Sequence, residues 1–312
     1  MTLLAYSPAF MNASAASAVS DLAAAFQLPF MQRALLAIAI LAVAAGVVGL
    51  FINFRELEFV SDGIVHAVFP GLVIGSLVGG TAALLPGAVV AAVIAALLFT
   101  LLGRGGGGGR KRSVSARDAG IAVALTGLFS LGVVVVSKSE NYVSQLQELL
   151  FGRILTVTDA QLWQISVVAI AATLVAWVFR RALLYRAFDP AGFEAAGFSS
   201  FRTDLALNVA VALLVVAGVQ ALGVLMVVAI LVVPIAVARL LSRKLTLLVP
   251  IAIAVTFIAG VAGLWISFEW SVYGDVSASP GALIVLMLVL AYALAAGVSF
   301  AVRGLADRRA AR

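Results

Sequence analysis

Nine apolar runs, at about 30–52, 60–79, 82–103, 118–137, 160–180, 203–219, 221–240, 246–268 and 281–302, leave this chain little choice of fold. Most are close to the length that crosses roughly 30 Å of hydrocarbon at 1.5 Å per helical residue. Hydrophobic residues make up 64% of the sequence and charged residues 11%, with a mean hydropathy of +1.18. A soluble domain averages roughly 45–50% apolar and about 25% charged. So few charges cannot coat a water-facing surface around so large an apolar mass. The expected fold is all-α, a polytopic membrane bundle of eight or nine crossings. Residues 1–29 are expected to form a peripheral or interfacial segment, 30–302 the transmembrane domain, and 303–312 a basic cytoplasmic tail.

Cysteine is absent, which excludes disulfides, thiolate metal sites and cysteine nucleophiles. The single histidine, His66, excludes any site needing two imidazoles from one chain. A net charge of +6 and a pI near 10.2 would suggest nucleic acid in a soluble protein. In a membrane protein, basic residues instead hold loops on the cytoplasmic side, and no nucleic-acid partner is expected. The first 29 residues carry no Lys or Arg and so lack the charged start of a secretory signal peptide.

The positions of the charges set the expected topology. Arg55, the cluster Arg104, Arg110, Lys111, Arg112 and Arg117, the group Arg180, Arg181, Arg186 and Arg202, the turn Arg239, Arg243 and Lys244, and the tail Arg303, Arg308, Arg309 and Arg312 all fall in the cytoplasm in one alternation. Seventeen of the 20 basic residues are then inside, with only Arg33, Lys138 and Arg153 outside, and the C-terminus is cytoplasmic. Residues 203–238 must leave and return in 36 residues, so short helices or a re-entrant one are expected there. The segment 141–159 is too polar to cross and reads as outward-facing or re-entrant.

An ionisable residue near the bilayer centre costs at least about 2.5–3.5 kcal/mol and is functional by default. Asp62 and His66, in SDGIVHAVFPG, stand four apart and share one face of a helix. His66 lies eleven residues beyond Arg55, an interfacial anchor, which is roughly 16 Å along a helix. A carboxylate and an imidazole on one face can ligate zinc, manganese or iron, or they can hydrogen-bond one another and tie two helices together. Two such ligands are too few for a tight tetrahedral site, which argues for transit rather than storage. A second copy of the chain could supply more. Pro70 leaves the carbonyl of His66 without a helical partner, and Gly63, Gly71 and Gly75 make room for a close neighbouring helix.

Pro234 frees the carbonyl of Ile230 and is either a hinge or a plain kink. Glu140, Glu148, Asp159, Glu269 and Asp275 make the outer face acidic, either to gather cations or dock a partner or as ordinary solvated loops. Phe188, Asp189 and Pro190 open a cytoplasmic loop in which Asp caps a short helix ending near Gly197, with Glu194 inside it. The run Gly105–Gly109 is not followed by Lys-Ser or Lys-Thr and is a linker rather than a phosphate loop. No such loop occurs elsewhere in the chain.

In order, these motifs resemble the zinc/manganese/iron permease family of ABC importers. The family's "gDalSHa-lPG" segment is matched by Val60–Gly71, its "ylFG-il-vs-dl" segment by Leu149–Asp159, its "fDpe-A---G" loop by Phe188, Asp189, Pro190 and Gly197, and its "vGalLvvalLiiPaatA" segment by Leu222 through Pro234 to Ala238. Val65 stands where the family usually has Ser, which removes a possible hydroxyl ligand, and Ala191 stands where an acidic residue is frequent. The resemblance implies the membrane subunit of a type II ABC importer in a bacterial cytoplasmic membrane. It implies a pair of such subunits, two cytoplasmic ATPase subunits and an extracytoplasmic metal-binding protein. The chain itself would not be an enzyme and would hold no tightly bound cofactor. Asp62 and His66 would line the path of a divalent metal ion, and the 188–197 loop would couple to the ATPase. Pro70, Gly71 and Pro234 would act as gate or hinge positions during alternating access. The competing expectations are a permease for a larger metal chelate such as a siderophore or corrinoid, and a cation transporter driven by an ion gradient.

Overall fold

The structure is a computed structural model that describes residues 26–103, 114–137, 147, 150–273 and 279–310. The N-terminal segment to residue 25, the Gly105–Gly109 run with Arg104, Arg110, Lys111 and Arg112, and the acidic positions Glu140, Glu148 and Asp275 lie outside these. Among the described residues nine helices are long and apolar enough to cross a membrane. In chain order the elements are α1 (Pro29–Phe54), α2 (Glu58–Gly80), α3 (Ala83–Gly103), α4 (Val114–Val136), α5 (Asp159–Val178), the short helices α6 (Arg180–Phe188) and α7 (Pro190–Ala195), α8 (Ser200–Val219), α9 (Ala221–Leu241), α10 (Leu245–Tyr273) and α11 (Pro280–Ala310).

The helix starts follow local chemistry. Pro29 occupies the first turn of α1, where its missing N–H costs nothing. Thr158 and Gln161 form a reciprocal capping box on α5: the Thr158 N–H donates to Gln161 Oε1 at 3.0 Å and the Gln161 N–H to Thr158 Oγ1 at 3.3 Å. Ser199 caps α8 through the Arg202 N–H.

Glycines make the two tight reversals. Between α2 and α3 the chain turns at Gly79 and Gly80, the latter at φ 60° and ψ −146°, a conformation closed to residues with a Cβ. The α8–α9 reversal turns on Gly223, the third residue of α9, at φ 76° and ψ 163°. The two helices of this second pair have 20 and 21 residues, so neither is short. The expectation of short helices over 203–238 is corrected: a reversal at Gly223 costs the pair little length. The backbone stays helical through Pro234, so α9 is not broken there.

The α2–α3 hairpin closes on small residues. Gly71 and Gly75, one turn apart, face Gly87, Ala83 and Ala91, and a methyl on either glycine would collide with the opposite backbone. At the Gly80 end of the bundle, Gly152, Gly223 and Gly281 bring three chain segments into backbone contact, and the Arg153 N–H donates to the Ala221 carbonyl at 3.1 Å. Residues 150–157 thus run inward against the α8–α9 turn, with Ile154 and Val157 buried.

Helices α8 and α9 form the centre of the bundle, with 72% of each most apolar stretch buried, and α1 packs against them. The outer spans α4, α5 and α11 bury 17–22%. Their exposed side chains, such as Val123, Ile170 and Leu286, are apolar, as lipid requires. Trp163 and Trp177 project from the two ends of α5 at interfacial positions, and the Arg180 guanidinium lies 4.1 Å over the Trp177 ring.

Candidate functional site

Asp62 and His66 lie on α2, and His66 Nε2 stands 3.4 Å from Asp62 Oδ1. Helix α2 begins at Glu58, so His66 is about 12 Å from its start and about 21 Å from Gly80. The pair therefore sits nearer the start of α2, beside Arg55, than its Gly80 end. Its contact is confined to one helix and ties no second span. Phe129 of α4 packs edge-on against the imidazole at 5.2 Å, and Phe69 packs on Phe129 at 5.3 Å. His66 Nδ1 is buried without a hydrogen-bond partner, while the imidazole and the carboxylate keep 19% and 33% exposure. A buried unpaired polar atom costs about 1–3 kcal/mol, so this histidine is not explained by stability.

A metal at about 2.1 Å from both atoms would subtend roughly 110° across that 3.4 Å separation, close to a tetrahedral angle. Among the described residues no group of three or more His, Asp or Glu converges. Asp62 and His66 are thus two candidate ligands with an open face.

The predicted cytoplasmic loop forms as a capped turn. Asp189 Oδ1 accepts from the Gly192 N–H at 2.8 Å and opens α7 at Pro190. Gly197, at φ 79°, closes it. The Gly197 N–H donates to the Glu194 carbonyl and the Phe198 N–H to the Phe193 carbonyl, with the two phenyl rings stacked at 5.1 Å. Glu194 accepts from Ser200 Oγ at 2.8 Å, which fastens the loop to α8. Phe188 is 68% exposed and touches Phe54, the last residue of α1, with ring centroids 5.6 Å apart. Pro70 and Gly71 lie within the continuous part of α2, Gly71 in the hairpin seam. Pro234 is buried in α9.

One cluster escaped the sequence reading. Asp204, the fifth residue of α8, forms ion pairs with Arg55 Nη2 at 2.5 Å and Arg186 Nη2 at 2.7 Å. Arg55 is thus no interfacial anchor but is folded inward. A cavity of ≈ 50 Å³ beside the three is lined by Val60, Phe99, Thr100 and Asn208. Asn208 Nδ2 donates to Thr100 Oγ1 at 2.8 Å, a buried polar link between α8 and α3. Burial pushes the Arg186 guanidinium below its ordinary pKa, with Asp204 opposing and Arg55 assisting. The available signal was an acid at the very start of an apolar run, which in isolation reads as an interfacial residue.

Two relatives, a solved structure and a family profile bear on identity. The manganese transport system membrane protein MntC of Halalkalibacterium halodurans is 33% identical over 85% of this chain and 86% of its own length. A probable iron transport system membrane protein of Haemophilus influenzae is 29% identical over 88% of this chain and 95% of its own. The solved structure "PsaBC from Streptococcus pneumoniae in complex with Fab" has a chain that superposes with a TM-score of 0.74 at 26% identity, covering 89% of this chain and 95% of that one. The profile of the ABC 3 transport family matches residues 27–299, nearly all the described bundle. With its motifs, its nine spans and these relatives in agreement, the chain belongs to the ABC 3 transport family.

Proposed function

We propose that this chain is the membrane permease of an ATP-driven importer of divalent metal ions, with manganese and iron the first candidates and zinc a third. The carrying observation is the Asp62–His66 pair at membrane depth, partly exposed and spaced to bite one cation. The relatives named for manganese and iron transport support the same substrate class. An imidazole and a carboxylate accept all three metals, and selectivity then rests on geometry and availability.

An open ionisable face cannot rest against lipid. Two copies of the chain placed with these faces together would supply four ligands and a polar passage. Separate ATPase subunits would act on the 188–197 loop from the cytoplasm, where the C-terminus also lies in this reading. Phe188 against Phe54 gives their push a direct route to α1, and Pro70 and Pro234, each leaving one carbonyl free, are the points at which α2 and α9 can bend. A soluble binding protein would deliver the ion to the opposite face of a bacterial inner membrane. No tightly held cofactor is needed; the metal is cargo.

The test is metal uptake in proteoliposomes containing this chain with its ATPase and binding protein. ATP-dependent Mn²⁺ or Fe²⁺ accumulation that disappears in His66→Ala is the expected result. Uptake of a chelate that survives His66→Ala, or ATP-independent accumulation by this chain alone, would replace the proposal with one of its two rivals.

A further inference from the structure

Helices α1 and α5 leave between them a groove of ≈ 540 Å³ that opens outward, with Ile170 65% and Trp177 57% exposed. Ile40 and Val43 line one side, and Ser166, Ile170, Thr173 and Trp177 line the other at helical spacing. On α5 this stripe lies opposite Ile165 and Val168, which border a separate small cavity with Leu85 of α3. The two hydroxyls are spent within α5: Ser166 Oγ donates to the Leu162 carbonyl at 2.7 Å and Thr173 Oγ1 to the Ala169 carbonyl at 2.8 Å. Along its length the groove is therefore apolar.

Its Trp177 end is charged. The Arg180 guanidinium lies 4.1 Å over the Trp177 ring, and its Nη1 donates to the Trp177 carbonyl at 3.0 Å, which holds the charge at the groove's mouth. One such bond leaves four of the five guanidinium donors for an anion. The Phe179 N–H donates to the Val175 carbonyl and the Leu183 N–H to the Phe179 carbonyl, so helical bonding carries on past the end of α5. Arg181, exposed and four residues after Trp177, thus continues the same stripe. Neither arginine pairs with a carboxylate among the described residues. From Ser166 to Trp177 the groove runs about 16 Å, close to one leaflet's half of roughly 30 Å of hydrocarbon. Its occupant is apolar through one leaflet and anionic where that leaflet meets water.

We propose that the α1–α5 groove binds an anionic phospholipid, an acyl chain lying against Ile170 and Thr173 and the phosphate held by Arg180 and Arg181. An apolar helix would match the groove's length but leave both guanidiniums without counter-charge, whereas this lipid meets both demands. The bound lipid touches α1 and the arm that leads through α6 to the 188–197 loop. The site does not depend on the cargo proposed above.

The test carries the assembled transporter from mixed micelles into native mass spectrometry with equimolar phosphatidylglycerol and phosphatidylcholine of the same acyl chains. The wild type should retain phosphatidylglycerol in preference. About fivefold of that retention should go with each arginine, so Arg180→Gln with Arg181→Gln should lower it at least tenfold and leave phosphatidylcholine unchanged. Lysine at both positions should keep the preference. Thr173→Phe, which fills the groove with both arginines in place, should also release the lipid and so separates a lipid site from one for free phosphate. Should either variant fail to fold, Arg181→Gln alone and Ile170→Trp, both at exposed positions, decide by the same readouts. Equal retention of the two lipids by the wild type overturns the proposal, as does a preference that survives the loss of the arginines or the filling of the groove. The chain has no cysteine, so a disulfide joining two copies through Leu174→Cys would place a second copy in the groove and overturn it as well.

Discussion

Substituting Gly71 by Ala tests how tightly the hairpin carrying the metal pair is closed. A methyl at Gly71 would lie inside contact distance of the Ala91 Cβ and the Gly87 carbonyl oxygen, with the Gly87 carbonyl carbon at 3.2 Å. Two of these three are backbone atoms and cannot rotate away. Restoring ordinary separations of about 3.5 Å requires α2 and α3 to part by roughly 1 Å along the seam. Overpacking of this kind costs about 1–3 kcal/mol, and a rigid backbone on the far side argues for the upper end. Helix propensity returns up to about 1 kcal/mol, leaving a net loss near 2 kcal/mol. Gly120→Ala in α4 gains the same propensity and meets nothing within 4 Å, so it is the reference. Unfolding of purified protein in mixed micelles should separate the two variants by about 3 kcal/mol. Gly71→Ala with Gly87→Ala should cost less than the sum of the singles, since the first methyl already opens the space that the second needs. Equal stability of Gly71→Ala and Gly120→Ala would refute the reasoning.

His66→Ala and Asp62→Asn should each abolish ATP-driven metal uptake while leaving folding intact, as read by flux and by the unfolding transition; unchanged flux would remove the pair from the path. Gly223→Ala forces a Cβ into a backbone conformation reserved for glycine and to within 2.6 Å of the Phe151 carbonyl carbon, and should cost about 3 kcal/mol or prevent accumulation of folded protein. By contrast, Arg33→Ala, which removes the exposed bidentate pair with Asp159, should change stability by under about 1 kcal/mol despite Nε–Oδ1 and Nη2–Oδ2 distances of 2.6 and 3.0 Å.

The site was unevenly legible. Asp62, His66 and the capped 188–197 turn stood out because each breaks a local rule: an ionisable pair inside an apolar run, and an Asp-Pro start with a glycine stop. Pro234 drew attention as a helix breaker, yet α9 runs through it. A proline inside a packed membrane helix forfeits one hydrogen bond that neighbours can replace. Gly223 makes the real break, through a backbone angle that composition does not reveal. Asp204 stayed hidden because its meaning lies in two arginines far from it along the chain.

Taken alone, the amino-acid order determined that this protein is a bundle of eight or nine membrane crossings, roughly where each lies, and which two side chains stand out inside. Those follow from the cost of moving each segment, by itself, from water into lipid. Only the tertiary structure decided which crossings are central, that α2 and α3 close face to face on glycine, and that Arg55, Arg186 and Asp204 share one chamber. The reason is that a membrane helix is apolar toward lipid and toward its neighbours alike. Hydrophobic periodicity, which in a soluble helix points to the core, therefore carries no information about who packs against whom.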